Sequence, residues 1–158
     1  MSETWVHGSA FAPRLYGAAH LLPVDGIAET VLHGLHEGFG VKYAMRNERQ
    51  NIFQATVPVV GGSELTEVRV EYWSQAADLD AVSVHSGSTL VVATKVLRIT
   101  EESGLVGRFR VVTVADIDRV VDRGLSLELT FTTAGPGLRA GQLAFYGAAA
   151  VFRDAGRG

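Results

Sequence analysis

Glu64-Leu65-Thr66-Glu67-Val68-Arg69-Val70-Glu71-Tyr72-Trp73-Ser74-Gln75-Ala76-Ala77-Asp78-Leu79 fits two periods, and the choice between them decides the fold. With period two, Val68, Val70 and Tyr72 alternate with Glu67, Arg69 and Glu71, as on a half-buried strand. With the helical period, Leu65, Val68, Tyr72, Ala76 and Leu79 share one face, while Glu64, Glu67, Glu71 and Asp78 share another. Ser63, after Gly61-Gly62, suits the N-cap of such a helix. Arg69 falls inside the apolar arc and speaks for the strand.

Three neighbouring stretches bear on that choice. Residues 40–48 read Gly-Val-Lys-Tyr-Ala-Met-Arg-Asn-Glu; then come Phe53-Gln54-Ala55-Thr56-Val57-Pro58 and, after the two glycines, Glu71-Tyr72-Trp73-Ser74-Gln75-Ala76-Ala77. In this order they resemble the hotdog-fold 3-hydroxyacyl-ACP dehydratases, over roughly residues 20–80. The resemblance implies an α+β fold: residues 1–158 as a single hotdog domain, an antiparallel sheet wrapped around one central helix at 64–79. If 64–79 is instead a strand, the expected alternative is a small antiparallel β-barrel binding a polycyclic or isoprenoid ligand.

The same resemblance implies a function. It gives Glu71 the role of the helix carboxylate in acid–base chemistry on an acyl thioester, and Gly61 and Gly62 the role of carbonyl-binding backbone donors. Thr56 stands where the family carries its catalytic histidine, and with Gln75 it is expected to contact substrate. Threonine is no general base near neutral pH, so the implied reaction is dehydratase- or isomerase-like with another residue as base. A hotdog thioesterase and a non-catalytic acyl or small-molecule binder are the alternatives. The implied partners are a substrate on acyl carrier protein or CoA, and a second copy of the chain in a homodimer. No cofactor is expected.

Composition narrows the classes. The chain has 158 residues, 47% of them apolar and 20% charged, with a net charge of −3, which suits a globular domain with a real core. Lys and Arg do not cluster, so no nucleic-acid partner is expected. There is no cysteine, hence no disulfide or thiolate chemistry. No basic region followed by an apolar run opens the sequence, and no stretch approaches the roughly 20 apolar residues of a membrane helix. Cytoplasmic residence without membrane attachment is the expectation.

Other segments are read from pattern. Leu125, Leu127, Leu129 and Phe131 alternate with polar residues and give the clearest half-buried strand. Residues 88–100 read as a buried strand, and residues 140–153 as a long closing strand with Gly147-Ala148-Ala149-Ala150 at its centre. Asp116 to Gly124 fits a short helical turn or a charged strand edge. His33 and His36, with Glu37, would be neighbours on a helix, but with no third ligand they give no metal site. His20, and His85 in a Ser-Val-His-Ser-Gly loop, are the candidate replacements for the missing base.

Overall fold

A computed structural model describes residues 1–13, 19–22, 42–45, 51–59, 61–75, 77–95, 99–103, 108–133 and 142–153. In it Ser63–Gln75 is a 13-residue β-strand, not a helix. Val70, only 1% exposed, shows why. It is as buried as Val68 and Tyr72 on either side, which period two allows and one helical stripe does not. Arg69, which a helix would have forced into its apolar arc, points to the other face of the sheet, with Glu67 and Glu71. The β-branched and aromatic residues of this stretch suit a pleated, half-buried surface.

The described elements run β1 (Ser2–His7), a 3-10 turn (Gly8–Ala10), β2 (Ala12–Pro13), β3 (Ala19–Leu22), β4 (Lys42–Met45), β5 (Asn51–Val57), β6 (Ser63–Gln75) and β7 (Ala77–Ser86). They continue with β8 (Thr89–Lys95), β9 (Ile99–Ser103), β10 (Arg108–Val114), β11 (Arg119–Val121), β12 (Leu125–Thr133) and β13 (Gln142–Arg153). One sheet has the order β3-β4-β13-β6-β10-β9, with β1 also on β13 and β11 also on β6; the other has the order β2-β5-β12-β7-β8. Their pairings are antiparallel.

The hotdog expectation is therefore corrected. Among the described residues the helical content is the single turn Gly8–Ala10, and no helix lies inside a wrapped sheet. The barrel alternative had the strand right but not the closure, because the strands divide between two sheets. The stretch read as one strand over 88–100 contains β8 and the start of β9, which runs on through Glu101–Ser103. Residues 26–39, with His33, His36 and Glu37, lie outside the described residues, as do Arg46–Glu48 of the first matched stretch.

The two sheets share one core. Phe53, Val82, Val84 and the series Leu125, Leu127, Leu129 and Phe131 from one sheet meet Leu65, Val68, Val70, Tyr72 and Phe145 from the other. Phe145 is central: its ring stacks on Phe11 at 4.1 Å between centroids, and lies 5.3 Å from Phe53 and 6.0 Å from Phe131. On β13 the small residues alternate: Ala148 and Ala150 face the core, and Ala149 faces outward between Trp5 of β1 and Arg69 of β6. Because Ala149 is small, Arg69 reaches across it to lie 5.6 Å from the Trp5 ring centroid and to pair with Glu3 at 2.8 Å and Glu67 at 2.8 Å. This cluster fastens β1 to the sheet.

Tyr146 sits where the register of β13 against β6 slips, between Phe145 and Gly147. Burial pushes its hydroxyl above the ordinary tyrosine value. The folded chain thus holds this proton more tightly than the unfolded chain does. Stability is unaffected below about pH 10, and falls as pH rises through that value because the unfolded state ionises first. Tyr146→Phe is expected to flatten this alkaline decline, read as urea midpoints across the alkaline range. An identical decline in the variant would refute the assignment.

Candidate functional site

The residues singled out from the sequence do not converge. Glu71 stands on the outward face of β6, half-buried, opposite Val111 of β10 and Gly147 of β13. Thr56 is exposed on β5 of the other sheet, opposite Ser126, while its neighbours Ala55 and Val57 face the core. The two side chains thus lie on opposite outer surfaces with the whole core between them. Gln75 ends β6, and Gly61 and Gly62 form the exposed turn leading into it. No helix starts at that turn, so its amides have no helix dipole behind them, and the carboxylate–amide arrangement implied for acyl-thioester chemistry is not built. The acyl carrier protein and CoA partners and the homodimer, all implied by the hotdog resemblance, fall with it.

A concave feature among the described residues is a half-open groove of about 620 Å³ at one end of the two sheets. One wall is the hairpin between β7 and β8, with Ser86, Ser88, Thr89, Leu90 and Val91; the other is β11 and the residues after it, with Arg119, Val120, Asp122 and Arg123. Local sequence explains both walls. Gly87 takes φ +59°, a left-handed conformation that lets the chain reverse tightly between the strands. The segment leading into β11 is pinned by Ile117, a largely buried plug whose amide donates to the Thr66 carbonyl at 3.1 Å. Asp116 and Asp118 flank it at φ +56° and +45°, which aspartate tolerates better than most residues. Arg153 reaches across to Glu64 at 3.2 Å and Asp118 at 3.4 Å, tying this loop to β6 and β13.

The two walls are latched to each other. Ser86 Oγ donates to the Arg123 carbonyl at 3.4 Å, and the Gly87 amide donates to the Gly124 carbonyl at 3.5 Å. Behind the second wall the Gly62 amide donates to the Val121 carbonyl at 3.0 Å, and Gly61 leaves only enough room for the Asp122 carbonyl, 3.2 Å from where a Cβ would stand. Gly61 and Gly62 therefore support the groove from behind. His85 ends half-buried on β7, one residue before the lining begins.

No protein-family model and no curated protein matches the chain. Solved structures similar to it include the carbohydrate-binding module CBM36 in complex with calcium and xylotriose, at 14% identity over 95% of this chain and 99% of that one, with a TM-score of 0.45. TmCBM61 in complex with β-1,4-galactotriose is similar at 10% identity over 94% and 88%, with a TM-score of 0.46. A CBM4 structure is similar at 11% identity over 90% and 88%, with a TM-score of 0.39. At TM-scores below 0.5 these likenesses assign no ligand to this chain.

The groove was not found from the sequence. Its lining comes from two stretches about 30 residues apart, Ser86–Val91 and Arg119–Arg123, and contains no motif of fixed spacing. The legible signals were the Ser-Val-His-Ser-Gly stretch around His85, read as a loop, and the charge of Asp116–Gly124, read as a short helical turn or a charged strand edge.

Proposed function

We propose that residues 1–158 form one non-catalytic binding module that takes a hydroxyl-rich ligand of the saccharide class in the groove between the β7–β8 hairpin and β11. The observation that carries this is the mixture on the walls: three hydroxyls, two guanidinium groups and a carboxylate, with two exposed aliphatic side chains among them, Leu90 at 53% and Val120 at 65% exposure. Hydroxyls both donate and accept, guanidinium only donates and carboxylate only accepts, so the set can answer a ring of sugar hydroxyls of either polarity. Singly exposed aliphatics are ordinary on a protein surface. Here both border one groove, where they can cover the C–H face of a sugar ring. A wholly apolar ligand would strip water from the same polar groups without replacing their hydrogen bonds, at a cost for each group left unpaired.

Titration with a panel of soluble oligosaccharides, followed through backbone amide resonances, tests the proposal. Shifts are expected in Ser86–Val91 and Arg119–Arg123, at the two walls together. Replacing both Leu90 and Val120 by alanine removes two exposed side chains, leaves the fold intact, and is expected to weaken binding by roughly threefold to tenfold from the apolar area lost. Shifts confined to other surfaces, or undiminished affinity in the double variant, would overturn the assignment of the groove.

A further inference from the structure

We infer that the groove selects a ligand carrying an oxyanion, such as a uronate or sulfated saccharide; this rests on the proposed saccharide site and sharpens it. Arg69, Arg110 and Arg153 each pair with a carboxylate: Arg69 with Glu3 and Glu67, Arg110 with Asp78, and Arg153 with Glu64 and Asp118. Arg119 and Arg123 form no ion pair among the described residues, and both line the groove. The protein thus leaves two guanidinium groups uncommitted at one place. Asp122 is the acid beside them, so the lining is positive by one charge in a chain whose net charge is −3. A general attraction for anions is absent, and any selectivity is local to the groove.

Arg123 also lies against the hairpin opposite it. Its side chain runs along the hairpin tip, with Cδ 3.3 Å from where a Cβ on Gly87 would stand, and its own carbonyl is fixed by Ser86 Oγ at 3.4 Å. Glycine at 87 therefore does two things: it permits the turn, and it leaves the space in which the arginine lies. The planar guanidinium fork then meets a carboxylate, sulfate or phosphate through two parallel N–H···O bonds, a geometry that a sugar hydroxyl cannot reproduce. The Asp122 carboxylate repels a second anion and accepts from a neighbouring hydroxyl, which favours one oxyanion on an otherwise hydroxylated ligand.

The test compares three probes at low ionic strength by calorimetry and amide shifts: a neutral hexose oligomer, the uronate oligomer of matching length and linkage, and inorganic sulfate. The uronate oligomer is expected to bind at least about tenfold more tightly than the neutral one, as charge-assisted bonds are the stronger kind. That margin should shrink as salt is added. It should collapse in Arg119→Gln/Arg123→Gln, whose circular dichroism is expected to match wild type because both side chains are exposed. Arg123→Lys keeps the charge without the fork and should keep only part of the margin. Equal binding of the neutral and uronate oligomers at the groove would overturn the oxyanion inference and leave the saccharide site standing. Sulfate binding as tightly as the uronate oligomer would keep the anion site and overturn the saccharide. No groove shift with any probe would overturn both, as a margin that survives the double variant would overturn the role of the arginines.

Discussion

Phe145→Ala is expected to be the most damaging of the simple truncations, lowering stability by about 3–5 kcal/mol. Phe145 is fully buried on β13 and touches aromatic rings from three other parts of the chain: Phe11 before β2, Phe53 on β5 and Phe131 on β12. Removing its ring opens a cavity at the point where the two sheets lean on each other. The remaining rings cannot close it by a small shift, because Phe53 and Phe131 also pack on each other edge to face at 6.0 Å, and Tyr72 packs on Phe131 at 5.3 Å. The loss also includes the geometric preference of the ring pairs, about 0.5–1.5 kcal/mol for each. Urea denaturation followed by tryptophan fluorescence would measure it. Phe145→Leu, which keeps most of the volume, should recover much of the stability, and a wild-type midpoint for Phe145→Ala would show that the sheets do not meet through this ring.

Gly8→Ala is expected to be the most harmful addition of a single carbon. A Cβ on Gly8 would collide with the backbone carbonyl of Phe145. The obstacle is main chain of a central strand, so the clash cannot be relieved by turning a side chain. Gly8 begins the 3-10 turn after β1, a turn that His7 caps by accepting from the Ser9 amide at 3.2 Å. Either the turn lifts, loosening β1 from β13, or β13 bends at its bulge. Overpacking of this kind costs about 1–3 kcal/mol, and rigid surroundings put it at the upper end or beyond. Hydrogen exchange would identify the part that yields: faster exchange in Ser2–His7 marks lifting of β1, and unchanged stability would mean the turn is free to move away.

Much of the sheet was legible in the sequence, and particular residues show why the rest was not. The alternation of Leu125 to Phe131 became β12, with those four side chains fully buried. At 64–79 both periods bury Val68 and Tyr72; Val70 and Arg69 separate them and favour the strand, while Leu65, which only the helical period buries, reaches the core through a register shift beside Thr66. The Gly61-Gly62-Ser63 entry and the likeness of Glu71–Ala77 to a helix pulled the other way. In the protein the glycines instead form a turn, with Gly62 at φ +81° and its amide bonded to Val121. The candidate site was less legible still. Its arginines look like ordinary surface charge until the fold sets them across from a serine- and threonine-rich hairpin, and no local spacing announces that meeting.

The pairing of β1 with β13 reaches into how the molecule is made. Trp5 faces Ala149, which lies 144 residues further along the chain. During synthesis β1 waits with its edge and Trp5 uncovered until β13 has followed it. β6 must wait as well, since its longest pairing is also with β13. Contacts this distant are slow to form, because chain entropy is lost before they repay it. Until β13 has been made the sheet stays incomplete, and in that interval the protein is most exposed to misassociation through unpaired strands and to chaperone capture.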